Sequence, residues 1–189
     1  MKKITILLFF LATCLIYGKA QPVFTNVPVL NGKVIFQQYV YIDQELSENQ
    51  RYSLLYKWGK DKFTGNPLLS GIRFDDKARS LTVSSKVELL LPENSAGVRE
   101  KMMMNYRFDA SITNVGCMLV IRDITYQTEP ARGSSSFPKA YTAEEMITES
   151  SAASGSAADR ELKSNTRTST LAFFNQLYDD LNKIFILKK

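Results

Sequence analysis

The sequence predicts an α+β domain: an antiparallel sheet of about five strands, in the order β-α-β-β-β-β, with helices packed on one face. Three observations lead there. Residues 101–113, KMMMNYRFDASIT, alternate apolar and polar positions, which is the period-two signature of a strand with one buried face. Residues 46–67 carry apolar residues at helical spacing between a capping signal and a Gly-Asn-Pro stop. The last residues, STLAFFNQLYDDLNKIFILKK (169–189), form a second amphipathic stripe. A helical layer on one face of the sheet buries all three sets of apolar residues together.

The chain opens MKKITILLFFLATCLIYGKAQ. Lys2 and Lys3 precede an apolar run, Ile4 to Tyr17, that is short for a membrane span. Gly18-Lys19-Ala20 supplies small residues of the kind a signal peptidase reads, so residues 1–20 are expected to be a signal peptide cleaved before Gln21. The rival is a lipidated Cys14 after Leu11-Ala12-Thr13. Thr13 is poorly suited to that role, and the apolar run continues beyond Cys14.

Residues 21–31, with two prolines, read as an extended lead-in, and GKVIFQQYVYID (32–43) as a strand burying Val34, Phe36, Val40 and Ile42. In the following helix, Ser47 and Gln50 make a capping box, and Tyr52, Leu55, Tyr56 and Phe63 form the stripe, widened by Leu54 and Trp58. LSGIRFDD (69–76) is a short strand. RSLTVSSKVELLL (79–91) alternates, with Leu81, Val83, Val87, Leu89 and Leu91 facing in. The methionine strand follows: Met102 and Met104 point inward as core gap-fillers, and Met103 points away. Converging thioethers for a copper site are therefore not supplied. GCMLVIRDITYQ (116–127) closes the set and is apolar on both parities from Cys117 to Ile121, as where both sheet faces are covered.

Residues 128–168 are rich in Ser, Ala, Thr and Gly and are expected to be a low-complexity linker, with a short helix starting at Thr142 and capped by Glu145. The domain proper is placed at 30–127, and the helix over 169–189 is expected to dock on it through Leu171, Phe174, Tyr178, Leu181 and Phe185.

The full chain has 24 basic and 19 acidic residues, a formal charge of +5. Loss of Lys2, Lys3 and Lys19 with the leader leaves 21 against 19, so the mature chain is nearly neutral and a nucleic-acid footprint is not supported. Cleavage also removes Cys14, leaving Cys117 without a disulfide partner and expected buried. The chain contains no histidine, which removes Ser-His and Cys-His nucleophile pairs and histidine metal sites. Asp75 and Asp76 are adjacent carboxylates in a turn, and no phosphate loop or calcium-loop pattern is present. No cofactor or metal is expected.

The exported chain with GKVIFQQYVYID, LSENQRYSLLYKWGKDKF and strands ending in LVIRDITYQ resembles a family of Bacteroidetes exported proteins of unknown function with a TBP-like fold. The resemblance covers about residues 30–127, and its sharpest points are Tyr52 to Trp58 and Asp123 to Tyr126. It implies a curved sheet with helices on one side, and Gram-negative residence in the periplasm or at the outer membrane. It implies no activity, and no catalytic residue carries over.

The sheet face opposite the helices is the candidate binding surface, with Tyr39, Tyr41, Thr82, Ser84, Lys86, Met103, Asn105 and Arg107 on it. The expected function is a non-catalytic binding or assembly module of the cell envelope whose partner is a protein, peptide or glycan. The alternatives are a hydrolase using carboxylates or a Ser-Lys pair, and a membrane-apposed lipoprotein held through Cys14 or the terminal helix.

Overall fold

The computed structural model describes residues 22–42, 46–128 and 139–186. The expected leader, its cleavage site and Cys14 lie outside the described residues, as does 129–138 of the expected linker.

The lead-in is more structured than an extended segment. Val29–Leu30 (β1) and Lys33–Val34 (β2) form a hairpin closed by Asn31 and Gly32, both with positive φ (51° and 74°). Asn-Gly is the dipeptide that such a two-residue turn selects, because both central residues must adopt left-handed backbone. The main sheet follows with Phe36–Tyr41 (β3), Ser70–Asp75 (β4), Ser80–Glu93 (β5), Arg99–Thr113 (β6), Gly116–Thr128 (β7) and Ala140–Thr142 (β8). It is antiparallel throughout, in the order β3-β7-β6-β5-β4, with β8 also on β7. The sheet thus has six strands rather than five; the added strand is a three-residue piece with too little apolar content to show in the sequence pattern.

Glu48–Phe63 (α1) begins at the Ser47–Gln50 capping box. Its buried residues are Arg51, Leu55, Gly59 and Phe63, so the expected stripe is rotated. Tyr52 and Tyr56 flank the interface: Tyr52 Oη donates to Asp76 Oδ1 at 2.6 Å, and Tyr56 packs on Phe74. Arg51 turns toward the sheet because Nη1 caps the β6–β7 turn, donating to the carbonyls of Asn114 (2.8 Å) and Thr113 (3.3 Å). Gly59 lets the helix approach closely; a Cβ there would lie 2.8 Å from Leu81 Cδ2. Trp58 and Phe63 pack on Phe108 of β6.

The segment expected to be a linker is largely folded where it is described. Ala143–Met146 (α2) starts at the Thr142–Glu145 capping box, Glu149–Ala152 (α3) follows, and Ala157–Lys183 (α4) is one 27-residue helix. The terminal helix therefore begins at 157, not 169. Ser156 and Asp159 cap it. Its first half is held by threonines: Thr166 and Thr170 are buried, bond back to the carbonyls of Leu162 and Thr166, and Thr170 Oγ1 meets the Tyr126 hydroxyl at 2.9 Å. Its second half buries Phe174, Leu177 and Leu181, with Phe185 just beyond. Phe174 stands edge-on to Phe36 and Tyr106. Both long helices thus lie on one sheet face, and Lys62 Nζ of α1 contacts Asp180 Oδ2 of α4 at 2.8 Å.

The core face of β6 carries Met102, Met104, Tyr106, Phe108 and Ala110, all buried. Cys117 is fully buried and free, and burial pushes its thiol up to about 12. The expectation that both faces of 117–121 are covered does not hold. Cys117, Leu119 and Ile121 face the helices, while Met118 and Val120 lie half-buried on the uncovered side.

Candidate functional site

The uncovered face is built by alternation. Odd residues of β6 and even residues of β5 emerge together because Thr82 pairs with Asp109, Ser84 with Arg107, Lys86 with Asn105 and Glu88 with Met103. Tyr39 and Tyr41 of β3 emerge on the same side. All eight residues expected on this face therefore share it, but they do not converge.

Tyr39 and Tyr41 form one corner. Their rings meet at 5.1 Å, and Tyr39 Oη shares a hydrogen bond with Thr113 Oγ1. The Tyr39 ring lies over Gly116, where any Cβ would collide with it and with the Val40 carbonyl. Tyr41 is 81% exposed. From the Tyr39 rung to the Arg107 rung is four residues along β6, roughly 13 Å at the rise of a strand. Met103 sits beyond the opposite end, on a rung with Glu88 and Gln127, beside the Lys101–Glu88 ion pair (2.9 Å).

Lys86, Asn105 and Arg107 do come together. They line a cleft of about 500 Å³ with Ser84, Leu68 and Leu69. A second cleft of about 320 Å³, lined by Arg73, Thr82, Ser84 and Arg107, adjoins it, and the two share Gly71, Ser84 and Arg107. The result is a trough crossing β4, β5 and β6. Lys86 N–H donates to the Leu69 carbonyl at 2.7 Å, which holds the leucines at the trough's lip.

Asp109 organises the trough wall and was absent from the expected set. Its Oδ1 accepts from Thr82 Oγ1 (2.7 Å) and Arg107 Nε (3.2 Å), and its Oδ2 from Arg122 Nε (3.0 Å). Burial by itself raises its carboxyl, but the hydrogen bonds from Thr82 and Arg122 and the charge of Arg107 outweigh burial and hold it below the usual carboxylate range. One carboxylate thus keeps two guanidiniums side by side, on strand positions that pair directly across the sheet. Parity alone points to Asp109, two residues from Arg107. It does not reveal Arg122 as the partner, because the register shifts at Asp123, a left-handed residue (φ 54°) that forms a bulge between Asn105 and Arg107 of the facing strand.

Several chemistries lack a matching arrangement. Asp75 Oδ1 accepts from the Ala78 N–H within the turn and Asp76 Oδ1 from Tyr52 of α1, so this carboxylate pair holds the turn and ties it to the helix. No hydrogen bond joins Lys86 Nζ to a serine hydroxyl among the described residues; Ser70 and Ser85 bond each other at 2.7 Å. Among the described residues there is no cluster of three metal-ligating side chains, and no helix is long and apolar enough to cross a membrane.

This geometry has relatives. A TBP-like protein from Parabacteroides distasonis has 25% identity and a TM-score of 0.70 over 84% of this chain and 96% of its own. A DUF4468 family protein from Bacteroides ovatus shares the fold at 20% identity and a TM-score of 0.69, over 91% of this chain and 97% of its own. No family model and no curated protein matches the sequence. Both structural relatives come from Bacteroidetes, and the TBP-like α+β fold implied by the resemblance is the fold found.

Proposed function

We propose that the chain is a non-catalytic binding module of the bacterial cell envelope that engages its partner through the uncovered sheet face. One observation carries this reading: the trough at Lys86, Asn105 and Arg107, whose charged wall is fixed in place by Asp109. A preset array of donors favours recognition, since little side-chain freedom is lost on binding. Asp109, the carboxylate bonded to Arg107, is committed to two arginines and a threonine, which argues against its use as a catalytic carboxylate. Export is part of the proposal and rests on the leader-like residues 1–20.

Cross-linked pull-down from envelope extract is the test. Capture of a defined partner by the parent chain, abolished by Lys86→Ala with Arg107→Ala and retained in Tyr41→Ala, is the expected result. Equal capture by the trough variant and the parent sinks the reading. Mass spectrometry of the mature N-terminus is expected to find Gln21 first; a lipid on Cys14 would place the chain on a membrane instead.

A further inference from the structure

Charge in the trough is unbalanced. Arg73, Lys86 and Arg107 line the two clefts against the single carboxylate of Asp123. Among the described residues neither Arg73 nor Lys86 has a carboxylate partner. Arg107 uses Nε on Asp109, and no further bond from its guanidinium occurs among the described residues. Arg73 and Lys86, unpaired, and Arg107, which shares Asp109 with Arg122, thus stand along the trough. Beside them Leu68 and Leu69 are exposed, Leu68 at 92%. Sugar rings are usually gripped by exposed aromatic faces, and none lines this trough. Tyr106 reaches it but is buried toward the helices, and Tyr39 and Tyr41 stand at the far corner.

Building on the open-face reading, we infer that the ligand of the trough is an extended acidic peptide segment with aliphatic residues between its carboxylates. Carboxylates match the spaced cations, Arg107 offering a planar fork and Lys86 and Arg73 point contacts. Aliphatic side chains cover Leu68 and Leu69, which otherwise face water. Opposite charge fixes register and speeds encounter, so the association weakens as salt rises.

The test uses the full chain, a fluorescent peptide alternating glutamate and leucine, its glutamine-for-glutamate counterpart, and polygalacturonate. Expected are binding of the glutamate peptide, weakening of about tenfold or more in Arg73→Glu with Lys86→Glu, and similar weakening for the glutamine peptide. Arg73 is exposed and Lys86 half-buried, and an unchanged melting temperature confirms folding; Arg73→Gln with Lys86→Gln gives a milder second variant expected to weaken binding in the same direction. Tyr41→Ala is expected to bind as the parent does. Equal affinity for the two peptides, or no response to the charge changes, overturns the inference. Binding of polygalacturonate at the trough in place of the peptide also overturns it while leaving the open-face reading intact. Failure of every probe overturns it too, and the cross-linked pull-down then decides the open-face reading by itself.

Discussion

The two faces of β6 show how differently a sequence encodes a core and a surface. Met102, Met104, Tyr106, Phe108 and Ala110 point one way and are buried under two helices. Met103, Asn105, Arg107 and Asp109 point the other way and stay half-exposed. The buried set is held by area, which is additive and tolerant of which apolar residue supplies it. The open set is held by particular pairings, Asp109 to Arg107, Arg122 and Thr82. A stability scan should therefore divide by parity, with steep losses on one face and shallow ones on the other.

Among single substitutions the largest loss is expected from Phe174→Ala in α4. Its ring is fully buried between Phe36 and Tyr106, so the cavity should cost about 3–5 kcal/mol, read as a drop in the denaturation midpoint. Removing residues 169–189 should leave no cooperative melting transition, because a domain of this size has only about 5–15 kcal/mol to lose. A truncated chain that melts like the parent would show that α4 lies outside the core.

Gly116→Ala comes next. The new methyl meets backbone at the Val40 carbonyl as well as the Tyr39 ring, so β3 must shift on β7. A loss of about 1–3 kcal/mol is expected from such overpacking. If urea melts of the variant and parent superimpose, the close approach of β3 to β7 is not as tight as described.

Asp109→Asn should cost about 1–2 kcal/mol at neutral pH, since it replaces charge-assisted bonds and leaves two guanidiniums facing each other. The pH dependence has a definite sign. The folded carboxyl lies below its ordinary value, so its stabilisation is present above about pH 4 and is lost as pH falls through the lower, folded value. The variant should lose less stability than the parent in acid. Parallel acid titrations of the two proteins would contradict this. Tyr41→Ala should sit at the bottom of the scale, within about 0.5 kcal/mol of the parent, because its ring is in solvent. A larger loss would mean that the Tyr39–Tyr41 corner also supports the fold.

The sequence was most legible where one local rule acts alone. Alternation located β5 and β6 and assigned their faces, and the Ser47–Gln50 and Thr142–Glu145 boxes marked two helix starts. The first half of α4 was not legible, because AADRELKSNTRTS lacks an apolar stripe and its buried contacts are threonines that bond their own helix and Tyr126. Hydropathy cannot separate that from a solvated linker. Arg51 was missed for a related reason: a buried guanidinium earns its place through turn carbonyls that are distant in sequence. In the trough, Thr82, Ser84, Lys86, Asn105 and Arg107 were readable from parity, but Leu68, Leu69 and Arg73 were not in the expected set, and Tyr39 and Tyr41 were grouped with Arg107 because one sequence shows which face a residue takes and not how far apart two residues lie on it. The partnership of Asp109 with Arg122 depended on a bulge at a non-glycine residue, for which no turn chemistry gives warning.

Near the other end of the chain, the backbone of Phe24 is clasped by the Asn175 side chain, which accepts its N–H at 2.8 Å and donates to its carbonyl at 2.9 Å. The clasp joins residues 151 positions apart, and the Phe24 ring closes the same edge of the core against Phe36 and Tyr178. A ribosome must therefore release the chain as far as Asn175 before the segment at Phe24 can find its place. Loop closure over such a separation slows assembly, and a growing chain stays open to proteases and translocation machinery throughout synthesis. Nascent chains arrested before residue 157 should show no protease-resistant core. If the chain is exported as proposed, late closure keeps it threadable until translocation is complete.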